Sequence, residues 1–254
     1  MNRILLAMDE IDDHNELGDI FQEPAHFRPP SPQASVTNFT RLNGSLLTLH
    51  LPAEHSLWAH CLWNAGKAMA NHIDSNPHLV NGKRVLELGA AAALPSLVCA
   101  LNGATVISTD YPDPQLVLNI EKNACCNIPE LLENGQFQAR GFLWGDDCSP
   151  LIKHGKFDLI LLADLIFNHS QHVKLLETCR DVLKKGGVVL TTFSHHLPQH
   201  KQKDLGFFAH AHAAGFSSEC VRTETWPVMF EHDQGDRVER ATVYLYRLSY
   251  AREE

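Results

Sequence analysis

The sequence predicts an α/β fold: a seven-stranded, mostly parallel sheet with helices on both faces and the last strand pair antiparallel. An N-terminal arm and a β-hairpin precede it. Three observations lead there. From Arg84 onward, short apolar runs at 84–88, 104–110, 136–143, 156–163 and 187–193 alternate with helical patterns, the rhythm of successive βαβ units. The first run enters a small-residue turn, Gly89-Ala90-Ala91-Ala92-Ala93, and the second ends on an acid, Asp110. The tail then carries two strand patterns, near 217–226 and 238–248, with only a polar loop between them. That pair must close as a hairpin and place one antiparallel strand in the sheet.

The bulk numbers allow one such domain with an extension. The chain has 254 residues, 44% apolar and 20% charged, enough to bury a sizeable core. Thirty acidic against 21 basic residues leave a net charge of −9, which speaks against a nucleic-acid partner. Seven cysteines show no C-x-x-C pair and read as reduced, buried thiols of a cytoplasmic protein. The short apolar run at the N-terminus meets acids too soon for a signal peptide. No stretch approaches the roughly 20 apolar residues of a membrane span, so no membrane association is expected, and the chain is expected to act as a monomer.

Residues 1–35 are acidic and then proline-rich (Glu23-Pro24, Arg28-Pro29-Pro30-Ser31-Pro32), which predicts a mobile arm or an extended strap. Residues 36–80 should hold a hairpin and a helix, with 81–254 forming the main domain. The hairpin is centred on Asn43-Gly44, flanked by alternating runs within 39–51. The helix is expected over 56–70. Trp58 and Trp63, five apart, cannot share one helical face, so one should face the core and the other something else. Further helices are expected after the turn to about Asn102, from Gln115 to Asn127 behind Pro112-Asp113-Pro114, from His169 to Lys185 closed by Gly186-Gly187, and from Lys201 to Ala214.

In a Rossmann-like sheet, ligands bind beyond the carboxyl ends of the strands, at the switch point. Those ends carry Gly89, Asp110, Trp144, Ala163-Asp164 and Ser194-His195. Asp110 is placed to accept hydrogen bonds from ribose hydroxyls, with capping of the following helix as the structural alternative. No G-x-x-x-x-G-K-[ST] is present to hold a triphosphate, and no segment after the sheet is long enough for a dehydrogenase's substrate domain. Seven strands closing in a hairpin suit S-adenosylmethionine, which offers a ribose and a cationic amino acid end. It has no pyrophosphate, so alanines can stand where glycines are usual. A Cβ at Ala91 nevertheless disfavours positive φ and narrows the approach to a ligand. His195 could accept a proton, although a structural role is at least as natural for one of 16 histidines. No Cys/His spacing indicates a metal.

Several segments together carry a resemblance: Glu87 to Ser96, Thr109-Asp-Tyr-Pro-Asp-Pro114, Trp144-Gly145, Ala163-Asp-Leu-Ile-Phe-Asn168, Leu57-Trp-x-x-x-Leu-Trp-Asn64 and Phe193-Ser-His-His196. They resemble the seven-stranded lysine methyltransferase family, and within it the fungal branch that modifies the N-terminal amine and an adjacent lysine of translation elongation factor 1-alpha. That branch was formerly labelled nicotinamide N-methyltransferase. The resemblance covers most of the chain.

It implies that Trp63, Gly89, Ala90, Ala91, Asp110, Trp144 and Ala163 contact S-adenosylmethionine, with Asp110 on the ribose and Trp144 beside the adenine. It also implies an acceptor motif of acid, two variable residues and an aromatic. Asp164-Leu-Ile-Phe167 fits it, with Phe where Tyr is commoner. Asp164 would orient the incoming ammonium and Phe167 would wall the channel. The expected function is therefore methyl transfer to the N-terminal α-amine and adjacent lysine of elongation factor 1-alpha. The alternatives are a small-molecule, nicotinamide-type N-methyltransferase and a non-catalytic binding module that kept the fold.

Overall fold

A computed structural model describes residues 33–53, 58–231 and 235–251. The proline-rich arm lies outside these residues but for its last three positions. Strands β1 (Ser35–Thr40) and β2 (Leu46–Leu51) form an antiparallel hairpin in which Thr40 pairs with Leu46. Gly44 supplies the positive φ (+85°) that the turn requires, as the Asn-Gly signal predicts.

Helix α1 runs Asn64–Ser75, not 56–70. Its start is shifted because Trp58 sits at φ +61° and Trp63 is extended (φ −65°, ψ 144°), so the apolar residues between them form turns. The segment 54–57 lies outside the described residues.

The main sheet follows with β3 (Arg84–Leu88), α2 (Leu94–Leu101), β4 (Thr105–Asp110), α3 (Pro114–Asn127), α4 (Pro129–Glu133) and β5 (Phe137–Gly141). Its second half comprises α5 (Ser149–Ile152), β6 (Phe157–Ala163), α6 (His172–Val182), β7 (Leu183–Phe193), α7 (Lys201–Ala213), β8 (Phe216–Thr225), α8 (Arg237–Ala241) and β9 (Thr242–Tyr250). The strand order is β5-β4-β3-β6-β7-β9-β8. Every pairing is parallel except the two that β9 makes with β7 and β8. The order reverses between β3 and β4 on one side and β6 on the other, which makes the carboxyl ends of β3, β4 and β6 the switch point.

Cys125, Cys126 and Cys220 are exposed and not buried as expected, because they lie on outward positions of α3 and of the edge strand β8. Further element boundaries also differ from the sequence expectation. The helix expected to reach Lys185 ends at Val182, and β7 begins at Leu183. Gly186 (φ +79°) does not cap a helix; it lies in an irregularity where the β6–β7 register shifts. The cap of α3 is Asp113, whose side chain accepts from the Gln115 N–H at 2.7 Å. Asp110 is therefore released from the capping role.

The hairpin and α1 share the core of the sheet. Phe39, Leu47, Leu49, Met69 and Ile73 pack with Val85, Leu97 and Val106 in one buried cluster. Asp74 fastens them: it accepts from the Arg41 guanidinium (2.6 Å), the Leu42 N–H and the Asn102 side chain. These bonds hold its carboxyl below the usual range despite its burial. On α3, the Asn123 and Asn127 amides pair with the N–H and C=O of His50 and Thr48. They satisfy the otherwise open edge of β2. Among the described residues, no helix is long and apolar enough to cross a membrane.

Candidate active site

A cavity of about 340 Å³ opens over the carboxyl ends of β3, β4 and β6. The nine residues that the resemblance assigns to the site all line it: Trp63, Gly89, Ala90, Ala91, Asp110, Trp144, Ala163, Asp164 and Phe167. Its wall is mostly apolar, with three carboxylates, Glu87, Asp110 and Asp164, set into it. That is the usual build of a small-molecule site, an apolar body with a few placed polar groups.

The turn after β3 forms one wall. Gly89 has φ +64°, and a Cβ there would lie 2.6 Å from Leu165 Cδ2 and 3.4 Å from the Trp144 ring. Glycine suits this position by its conformation, and a side chain there would also have to displace the end of Leu165. Ala91 (φ +46°) and Ala93 (φ +58°) also adopt the left-handed region. The positive φ that a Cβ at Ala91 disfavours is tolerated because the surrounding bonds over-determine the turn. Ala90 N–H donates to Thr109 O (2.9 Å), Ala91 N–H to Asp110 Oδ2 (2.7 Å) and Ala93 N–H to Ala90 O (2.6 Å). Asn123 Nδ2 donates to Ala92 O at 3.1 Å. The cost of a left-handed L-residue, about 1–2 kcal/mol, is offset by this set.

Asp110 is buried at the tip of β4. Besides Ala91, it accepts from the Tyr111 N–H at 2.7 Å through Oδ1. Each carboxylate oxygen carries two lone pairs, so its orientation is fixed with acceptor capacity left for hydroxyls in the cavity. Trp144 is half-buried against Gly89 and Leu165, where it forms a flat apolar wall, and the next residue is anchored by Gly145 N–H to Thr178 Oγ1 (2.9 Å).

Glu87 is a cavity residue to which the sequence analysis gave no role. It is 1% exposed, and its Oε2 accepts from the Ser96 N–H at 3.0 Å. Burial pushes its carboxyl up to about 8, hydrogen bonding from Ser96 works against that, and the charge of Asp110 adds to it. Its signal was its place at an inward position of β3, one residue before the last of the strand.

The opposite wall is the turn after β6. Asp164 has φ +62° and is 6% exposed; its N–H donates to Thr192 O at 2.7 Å. Oδ1 lies 2.9 Å from His196 Nε2. Oδ2 is buried and has no hydrogen-bond partner among the described residues. Phe167 follows in the same wall.

The tryptophans depart from expectation. Both Trp58 and Trp63 line the cavity, their rings 6.3 Å apart and edge to face, with Trp63 Nε1 donating to Trp58 O at 3.1 Å. The turn between them makes this possible where a helix could not. His195 also departs from the role it was offered: it is 1% exposed, faces Asp204 (Nδ1 to Oδ2, 2.6 Å) and lies outside the cavity wall.

Comparison with known proteins completes the site. The lysine methyltransferase family profile matches residues 44–213. The chain belongs to the lysine methyltransferase family. It is 42% identical over 258 residues to the protein N-terminal and lysine N-methyltransferase EFM7 of Candida glabrata, covering 96% of this chain and all of that one. A relative of the same name in Schizosaccharomyces pombe is 42% identical over 244 residues, covering 91% and 94%.

Among solved structures, the fold resembles a putative RNA methyltransferase from Pyrococcus horikoshii (TM-score 0.53, 19% identity, 78% of this chain and 90% of that one). It also resembles a putative S-adenosylmethionine-dependent methyltransferase from Streptococcus mutans (TM-score 0.59, 14% identity, 87% of this chain), of which it spans 57%. This is a seven-stranded methyltransferase, and its cofactor is S-adenosylmethionine.

The cavity fits that cofactor chemically. Glu87 suits a cationic sulfonium and ammonium, Asp110 retains acceptor capacity for ribose hydroxyls, Trp144 offers a flat face, and the Cβ-free cradle at Gly89 admits close approach, while Lys174 brings a basic side chain to the same wall.

Proposed function

We propose that this methyltransferase modifies amines of a protein: the N-terminal α-amino group and an adjacent lysine of translation elongation factor 1-alpha, in the cytoplasm and as a monomer. The names of relatives that align over nearly the whole chain support the two acceptor types. The observation that carries the reading is Asp164. A buried carboxylate oxygen with no partner among the described residues, set in a mostly apolar wall, costs about 1–3 kcal/mol or more until something cationic or protic meets it. An ammonium group is such a partner.

In this reading Gly89 to Ala91, Asp110, Trp144, Ala163 and Trp63 hold the cofactor on one side, and Glu87 faces its cationic end. When bound, it supplies an electrophilic methyl group on a sulfonium. The protein's own share is modest: it orients the acceptor nitrogen in line, excludes water and removes a proton. Asp164 binds the incoming ammonium, accepts the proton it must lose, and holds the neutral nitrogen toward the opposite wall. Phe167 and Trp63 close the space around it.

An α-amine with a pKa of about 7.7–8.0 is roughly a tenth neutral at pH 7, whereas a free lysine near 10.4 is below about a thousandth. The N-terminus is therefore the easier acceptor, and the lysine depends more on desolvation and on Asp164. Labelled methyl transfer tests the reading. Label must enter a peptide with a free N-terminal amine followed by lysine, and not nicotinamide; label in nicotinamide alone would replace this function with the small-molecule one.

A further inference from the structure

The strand end that follows β7 carries two adjacent histidines, and they turn to opposite sides. His195 points inward, where Asp204 bridges it to His169, both bonds being 2.6 Å. This clamp fixes the backbone at 194–196 from within. His196, one residue on, reaches two residues of the cavity wall, Asp164 and Trp63. Its Nε2 lies 2.9 Å from Asp164 Oδ1, and its ring meets Trp63 edge to face at 4.8 Å between centroids.

We propose that His196 is a positioning residue of the amine-acceptor site, holding Asp164 so that Oδ2 is the oxygen presented to the substrate. An ionised carboxylate only accepts, so Nε2 carries the hydrogen and donates. The torsion that turns a carboxylate group is broad and roughly two-fold. Asp164 without a fixed donor would swap its oxygens and rotate away from the acceptor. The backbone alone does not prevent this, since its one local bond, N–H to Thr192 O, leaves the side chain free to turn.

The same imidazole is wedged between the acid and Trp63, and Trp63 in turn donates to Trp58 O. One side chain thus ties the acceptor carboxylate to the indole wall. In this proposal His196 acts through Asp164 and makes no contact with substrate of its own.

The inference rests on the reading of Asp164 given above, and its test separates the two. The full chain, saturated with S-adenosylhomocysteine, is titrated calorimetrically with a peptide bearing a free N-terminal amine followed by lysine. Glutamine places an amide nitrogen as many bonds from Cβ as His196 Nε2, while leucine keeps bulk without a donor. The expected result is that H196L weakens peptide binding by about tenfold or more, as expected for a hydrogen bond to a charged group. H196Q restores most of it, and S-adenosylhomocysteine affinity is unchanged in both.

Equal losses in H196L and H196Q, or parallel loss of S-adenosylhomocysteine binding, would mark His196 as merely structural and overturn the proposal. So would unchanged peptide affinity in H196L alongside a loss in D164N. Unchanged peptide affinity in D164N would overturn the reading of Asp164 itself.

Discussion

The turn after β3 and the turn after β6 face each other across one cavity, and both place L-residues in the left-handed region without glycine. They are held in different ways. At Ala91 and Ala93 the backbone is enclosed by hydrogen bonds from β4, from Asp110 and from the asparagines of α3. At Asp164 the backbone has one fixed bond and the side chain one, and a buried carboxylate oxygen is left over. Strain persists where the surroundings over-determine it. The first turn is therefore a rigid cradle, finished before any ligand arrives. The second is finished only when a donor enters. A cofactor that binds the same way each turnover suits the first arrangement, and an acceptor amine that must lose a proton suits the second.

Substitutions that exchange these properties sharpen the contrast. The largest effect is expected from D164N, which keeps the shape but removes the negative charge. Steady-state kinetics should show kcat/KM for a peptide amine falling by about 10²–10⁴, the usual worth of a positioned acid–base group, with cofactor affinity unchanged.

Next is D110A, which leaves the Ala91 and Tyr111 N–H groups without their acceptor and removes the expected ribose contact. Calorimetry should show cofactor affinity lower by about tenfold or more, together with a lower melting temperature. Stability that held constant while binding was lost would contradict the view that Asp110 braces the cradle.

Glu87 gives a pH signature. Its folded-state pKa of about 8 lies above the ordinary carboxylate value of 4.5. The protonated form therefore favours folding, and that stabilisation is lost as pH rises from the unfolded value through about 8. A cationic cofactor beside Glu87 favours the ionised form, so binding near neutral pH should release a proton and strengthen as pH rises toward 8. Calorimetry in buffers of different ionisation enthalpy measures the release, and E87Q should abolish it.

The smallest effect is expected from A91G or A93G. Glycine removes the left-handed penalty but adds unfolded-state entropy. Denaturant unfolding should show a net stabilisation of no more than about 1 kcal/mol.

Much of this was legible in the sequence because it follows periodicity and strand-end chemistry. The runs at 84–88, 104–110 and 156–163 became β3, β4 and β6 with small boundary shifts, and the residues at their ends line one cavity. Less legible was whatever depends on a single dihedral. Trp58 at φ +61° turned an apparent helix into a corner and brought both tryptophans to the same wall. The left-handed alanines could not be foreseen, since bonds that hold the turn come from Thr109, Asp110 and Asn123, distant in sequence. His195 and His196 are adjacent and chemically identical. Only the twist of the strand end decides that one meets Asp204 and the other Asp164.

The central claim, that the open oxygen of Asp164 receives a protein amine, is tested most directly by one measurement. Wild-type chain and D164N are incubated with labelled S-adenosylmethionine and a peptide bearing a free N-terminus and a following lysine, and label is counted in the peptide. The account predicts label at both amines with the wild type and almost none with D164N, although D164N still binds the cofactor. Equal labelling by the two proteins would contradict it.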